Sequence, residues 1–171
     1  MSGEQLLNQA KKRSQRWLED GGWIVTDQQE VPSEVAWMLA AVDEQQRGLD
    51  VMQLLASRDV VIIQCAITVN VEHLKVINAS PTHDLKTFIW DMRMRLLEYG
   101  VDFNNLTEDF TDAVLLNVTI AYDGMTKDTF MQRVALVRRS LLLYTWGILR
   151  FVEEHGGTLI ETPQNAPVLG T

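Results

Sequence analysis

The stretch TKDTFMQRVALVRRSLLLYTWGILRFVEEH, residues 126–155, decides the fold. Its apolar residues Phe130, Val134, Val137, Leu141, Tyr144, Ile148 and Phe151 are spaced alternately by four and three, which keeps them on one side of an α-helix. From Leu141 to Val152 a second stripe through Leu142, Leu149 and Val152 widens the first until little polar surface remains. A helix apolar nearly all round is expected to be buried nearly all round. At 1.5 Å per residue it would run roughly 45 Å, against a radius of gyration of about 16 Å for a compact domain of this size. Its far end therefore needs a cover, supplied by the chain's own sheet or by a second copy.

Upstream of this helix the chain alternates strand-like and helical runs. Residues 4–20 are amphipathic and end at Gly21-Gly22, where glycine tolerates the left-handed conformation that closes a helix. Trp23 to Thr26 is a short strand. After Pro32-Ser33 come three strand-like runs, Val35 to Val42, Leu49 to Leu55 and Val60 to Val69, joined by connections short enough to imply antiparallel neighbours. The third is apolar at almost every position, as expected of a central strand covered on both faces. Residues 70–79 read as a short helical turn, and Pro81 opens a longer helix through Tyr99, stopped by Gly100. Val101 to Leu106 and Ala113 to Tyr122 form the next strands, and the second alternates cleanly, with Val114, Leu116, Val118, Ile120 and Tyr122 on one face. Asp123-Gly124 turns the chain and Thr126 is the expected N-cap of the long helix. The fold class is α+β, an antiparallel sheet with helices in the order α-βββ(β)-α-ββ-α. It occupies one domain, residues 1–156, followed by a Pro-containing tail, 157–171, expected to be flexible.

The bulk composition narrows the function. A chain of 171 residues buries about 70% of its unfolded surface without disulfides or metals. A formal charge of −8 argues against nucleic acid, because wrapping phosphates requires clustered Lys and Arg. The one basic cluster, Lys11, Lys12, Arg13 and Arg16, reads as the solvated face of the first helix. Cys65 is the only cysteine and sits inside an apolar run, so it is expected in the core rather than as a reactive thiol. No apolar run reaches the length that spans a bilayer and no signal-peptide pattern opens the chain. The expected location is the cytoplasm, with no membrane partner.

No motif points to a reaction. His73, His83 and His155 are scattered and form no zinc pattern. Asp102-Phe103-Asn104-Asn105-Leu106-Thr107 begins like a calcium loop, but Thr107 stands where the loop requires glycine. There is no phosphate loop and no serine elbow. Asp123 and Asp128 are explained by a turn and by the helix dipole. No enzymatic activity, no metal and no cofactor are expected.

Two surfaces carry apolar residues in surplus. On the middle helix Phe88, Ile89, Met92, Leu96 and Tyr99 form the expected core stripe, while Trp90, Met94 and Leu97 recur at i, i+4 and i+7 on a different face. That second strip has the composition enriched at protein interfaces. Together with Leu142 and Leu149 it is the candidate self-association surface. The strand Val35 to Val42 has no polar face, and Leu49 to Leu55 is apolar on both sides except at Asp50 and Gln53. Either helices cover both faces of the sheet, or one face is open to a partner; Trp37, Met38 and Met52 are the candidate partner-binding residues.

Three blocks also carry a resemblance. They are Phe88-Ile89-Trp90-Asp91-Met92-Arg93, then Leu96-Leu97-Glu98-Tyr99-Gly100-Val101-Asp102-Phe103, then Tyr122-Asp123-Gly124-Met125-Thr126-Lys127-Asp128-Thr129-Phe130. With Trp17-Leu18-Glu19 and Gly22-Trp23 ahead of them, they make the chain resemble a group of small archaeal and bacterial proteins that share a domain of unknown function. The overall pattern is similar to the secretion-chaperone-like fold, which includes the YbjN-like proteins and the class I chaperones of type III secretion. The resemblance implies a homodimer that holds an extended polypeptide segment as chaperone or adaptor. Two alternatives stay open: a small-molecule-binding or carrier domain with a pocket between sheet and helices, and a structural subunit of a larger assembly docked through the tail.

Overall fold

The computed structural model describes residues 3–110 and 113–158. Helix α1 (Gly3–Asp20) leads into strands β1 (Ile24–Asp27), β2 (Val35–Val42), β3 (Gly48–Leu54) and β4 (Val60–Ile67). Helices α2 (Val71–Ala79) and α3 (Thr82–Glu98), strands β5 (Asp102–Asn104) and β6 (Val114–Ala121), and helix α4 (Lys127–Glu154) complete the chain. The six strands form one antiparallel sheet in the order β1-β2-β3-β4-β6-β5. The α+β class and the antiparallel sheet are therefore as expected, and the element order differs by one helix, because residues 71–79 form a nine-residue helix rather than a turn. The part of the tail from residue 159 onward lies outside the described residues.

The long helix starts where its capping chemistry places it. Thr126 accepts from the backbone N–H of Thr129, and the Thr129 hydroxyl accepts from the Thr126 N–H, a reciprocal cap that satisfies two otherwise orphaned donors. All seven residues of the alternating stripe are buried. The covers are the chain's own elements. Near its start α4 meets α1, where Trp17 and Phe130 lie 5.6 Å apart between ring centroids and Lys127 pairs with Asp20 at 2.7 Å. Near its end it meets α3, with Phe88 and Phe151 at 5.0 Å, and it also packs against α2. Gly147 eases the α3 contact: a Cβ there would overlap the end of the Met92 side chain, which would have to shift, and would touch the Phe88 ring.

The helices share one layer and cover one face of the sheet. Burial alternates along β4, where Val61, Ile63, Cys65 and Ile67 are sealed and Val60, Ile62, Gln64 and Ala66 are half-buried. The expectation that this strand is covered on both faces is corrected: it is central, but helices seal only one of its sides. Strand β6 alternates the same way. Val101 to Leu106 shortens to the three-residue edge strand β5, ended by Asn105, which has φ +59°. In α3 the buried stripe is Leu85, Ile89, Met92 and Leu96. Tyr99, expected in that stripe, is exposed at the helix end.

Candidate interaction surface

Helix α3 turns one face to the sheet layer and to α4, and its position is fixed further by Arg93, whose guanidinium donates to the Leu106 carbonyl. At 100° per residue the face carrying Trp90, Met94 and Leu97 lies about half a turn from Phe88 and Met92, which hold α4. That face is open. Trp90 is 62%, Met94 43% and Leu97 55% exposed, and Tyr99 stands exposed at the end of the same helix. Large apolar side chains grouped on one helix face are a recognised mark of an interaction site.

The structure does not bring Leu142 and Leu149 to this strip. Both are half-buried on α4, and Leu149 lines a small cavity against Ile67, Val69 and His73 within the same chain. Part of the cover expected for the end of α4 comes from α2 and α3 of the same chain, which leaves Leu142 and Leu149 less open than the α3 strip. Trp146, between them, is 65% exposed. It was missed because periodicity groups it with a stripe whose other members are partly covered.

Of the partner-binding candidates, Trp37 is overturned. Its side chain belongs to the sealed face, it is 5% exposed, and its indole N–H donates to the Gln53 Oε1 at 2.8 Å. A ring held this way is a core residue with a satisfied polar end. Met38 and Met52 pair directly across β2 and β3 on the opposite face. Met38 is half-buried, and Met52 is 8% exposed, so only the first presents part of its side chain.

That opposite face has an ordered chemistry. Asp50, at its centre, is 7% exposed and faces Gln64 across the strand pair. Burial raises its pKa to about 6 against the lowering effect of the Gln64 hydrogen bond. On the sealed face burial, and then the Asp50 charge, push the Cys65 thiol up to about 12, so it is an inert core group.

Between α3 and α4 lies an open cleft of about 530 Å³. His155 closes one end, with Nδ1 2.8 Å from the Phe151 carbonyl and Nε2 3.3 Å from the Asp84 carboxylate. Arg95 and Arg150 stand along it. Among the described residues no group of three or more His, Cys, Asp or Glu side chains is placed to hold a metal ion, and no helix is long and apolar enough to cross a membrane.

These features define an α+β protein in which one helical layer backs a six-stranded antiparallel sheet, with an apolar strip open on α3. The chain belongs to the family described as "Uncharacterized conserved protein (DUF2299)", whose model matches residues 10–148. It is similar in structure to an uncharacterized protein from Methanothermobacter thermautotrophicus, with a TM-score of 0.72 and 26% identity over 85% of this chain and 99% of that one. A chain of the ExsC-ExsE complex aligns with a TM-score of 0.45 and 14% identity over 70% of this chain and 79% of that one, an overlap too slight to carry a conclusion. No curated protein matches the chain at a significant level.

Proposed function

We propose that this protein is a non-enzymatic, cytoplasmic protein-binding module, a chaperone or adaptor that pairs with a second copy through α3 and holds a segment of another polypeptide. The observation that carries the reading is the open strip Trp90, Met94 and Leu97, on a helix whose other side is already anchored to α4 and to the loop after β5. Leaving a tryptophan, a methionine and a leucine together in water forgoes several kcal/mol of burial, at about 25 cal/mol per Å². A second copy offering the same strip recovers it symmetrically, as a two-fold interface requires.

Light scattering coupled to size-exclusion chromatography tests the pairing. The protein is expected to run as a dimer at micromolar concentration, and Trp90→Glu or Met94→Glu as a monomer with unchanged circular dichroism. A monomeric wild-type protein overturns the pairing, and variants that remain dimeric place the interface elsewhere.

One observation favours a second reading, a small-molecule-binding or carrier domain. The cleft between α3 and α4 has a volume usual for ligand sites, although it lies between helices rather than between sheet and helices. Saturable NMR shifts of His155 and Phe88 on addition of small carboxylates or amines would support it. Unmoved spectra at millimolar ligand would remove it.

A further inference from the structure

We infer that the sheet face turned away from the helices receives a polypeptide segment with one lysine or arginine among apolar residues, and that Asp50 is the counter-charge. The inference rests on the protein-binding reading above and specifies the chemistry of the partner.

The strand register carries it. Thr26, Ala40, Asp50, Gln64, Asn117 and Asp102 pair directly from strand to strand across the whole sheet. Directly paired residues put their side chains on the same face, so these six form one row, polar at four successive strands from β3 to β5. The neighbouring row on one side is Met38, Met52, Ile62 and Thr119, apolar from β2 to β4. Ala66 and Leu115 pair on the other side, and Leu115 pairs on to Asn104 at the β5 edge. The polar ridge thus has apolar flanks over β2 to β4 and polar neighbours, Thr119 and Asn104, toward β6 and β5, and among the paired residues of this face Asp50 and Asp102 are the charged ones, both negative.

Asp50 differs from the other buried carboxylate of the same hairpin. Asp43 meets Arg47 at 2.8 Å and Arg138 at 2.9 Å, whereas Asp50 faces the neutral amide of Gln64. A carboxylate removed from water without a cation is costly, and an ammonium or guanidinium arriving from outside would relieve that cost. A metal ion is a poor occupant, because Asp102 stands three strand spacings away, about 14 Å. The flanking residues select a polypeptide over a small amine. Met38 and Ile62, half-buried beside Asp50 and Gln64, offer apolar side chains to the residues that flank the cation, and Met38 is unbranched and able to turn aside.

Random-peptide phage display on the full chain provides the probes, and calorimetry with the selected peptides provides the test. Peptides whose binding is lost on Ile62→Lys, which sets a competing cation beside Asp50, are expected to carry Lys or Arg. Changing that residue to Gln should weaken binding to the wild-type protein by about thirtyfold or more and leave binding to Asp50→Asn nearly unchanged. Peptides that require Ile62 but show no basic residue, or equal losses on both proteins, would overturn this inference while sparing the protein-binding reading. If no selected peptide depends on Ile62, this inference falls, while the protein-binding reading stands or falls on the α3 test above. Should Asp50→Asn fail to fold, Lys→Gln and Lys→Glu peptides against the wild-type protein decide the matter alone.

Discussion

Replacing Asp50 with Asn should stabilise the free protein, and the gain should depend on pH. The ordinary aspartate value is 3.8, and burial moves Asp50 to about 6 in the folded chain. Between those values the folded state binds more protons than the unfolded one, so stability falls as pH rises through this window and stays low above it. At about 1.36 kcal/mol per pH decade, the gap amounts to about 3 kcal/mol of destabilisation at pH 8. Near pH 4 the same linkage leaves only about 0.5 kcal/mol. Asn keeps the shape and an acceptor for Gln64 but has no charge to desolvate. Urea unfolding followed by tryptophan fluorescence should therefore show Asp50→Asn more stable by about 2–3 kcal/mol at pH 8, or about 4–12 °C in melting temperature, with the difference nearly gone at pH 4. A difference that is flat with pH, or a variant less stable at pH 8, would refute the reasoning. The same carboxylate would then be one the protein stabilises for its own structure rather than holds for a partner.

Other expectations follow from the contacts that hold the fold. Asp43→Ala should cost about 3 kcal/mol in chemical denaturation, because it leaves the buried Arg47 unpaired and frees Arg138 from the hairpin. Burial works against the Asp43 charge, but the hydrogen bonds from Arg47 outweigh it and lower the pKa, so this contribution is present above pH 3.8 and lost as pH falls through the lowered value. Thr126→Ala removes one arm of the reciprocal cap of α4 and should cost about 1 kcal/mol, read from the same urea curves. His155 should titrate above 6.5 by NMR, since the Phe151 carbonyl and then Asp84 favour its charged form. Asp84→Asn should lower that value only in part, and the stability it contributes is full below 6.5 and lost as pH rises through the raised pKa.

The pattern of the chain determined the elements. The four–three spacing from Phe130 to Phe151 specified α4 and its buried stripe, and Thr126 marked its start. The strict alternation in β6 specified which of its residues face the core. The strip Trp90, Met94 and Leu97 was also readable, because three residues on one helix face share a direction whatever the helix packs against. The strands β2 and β3 were not readable in this way. Apolar on both sides, they carry no local signal of which face the helices take, and so Trp37 looked available when it is sealed.

Which surfaces stay open was decided by tertiary structure alone. Periodicity assigns a residue to a face, but cover comes from elements distant in sequence, as α2 and α3 show by closing over the end of α4. The row from Thr26 to Asp102 exists only through pairing between strands scattered from residue 24 to residue 121. Asp50 read in sequence is one acid in an apolar strand. Its burial, with no cation beside it among the described residues, is a property of the assembled sheet, because a charge is costly or harmless according to what the fold places beside it.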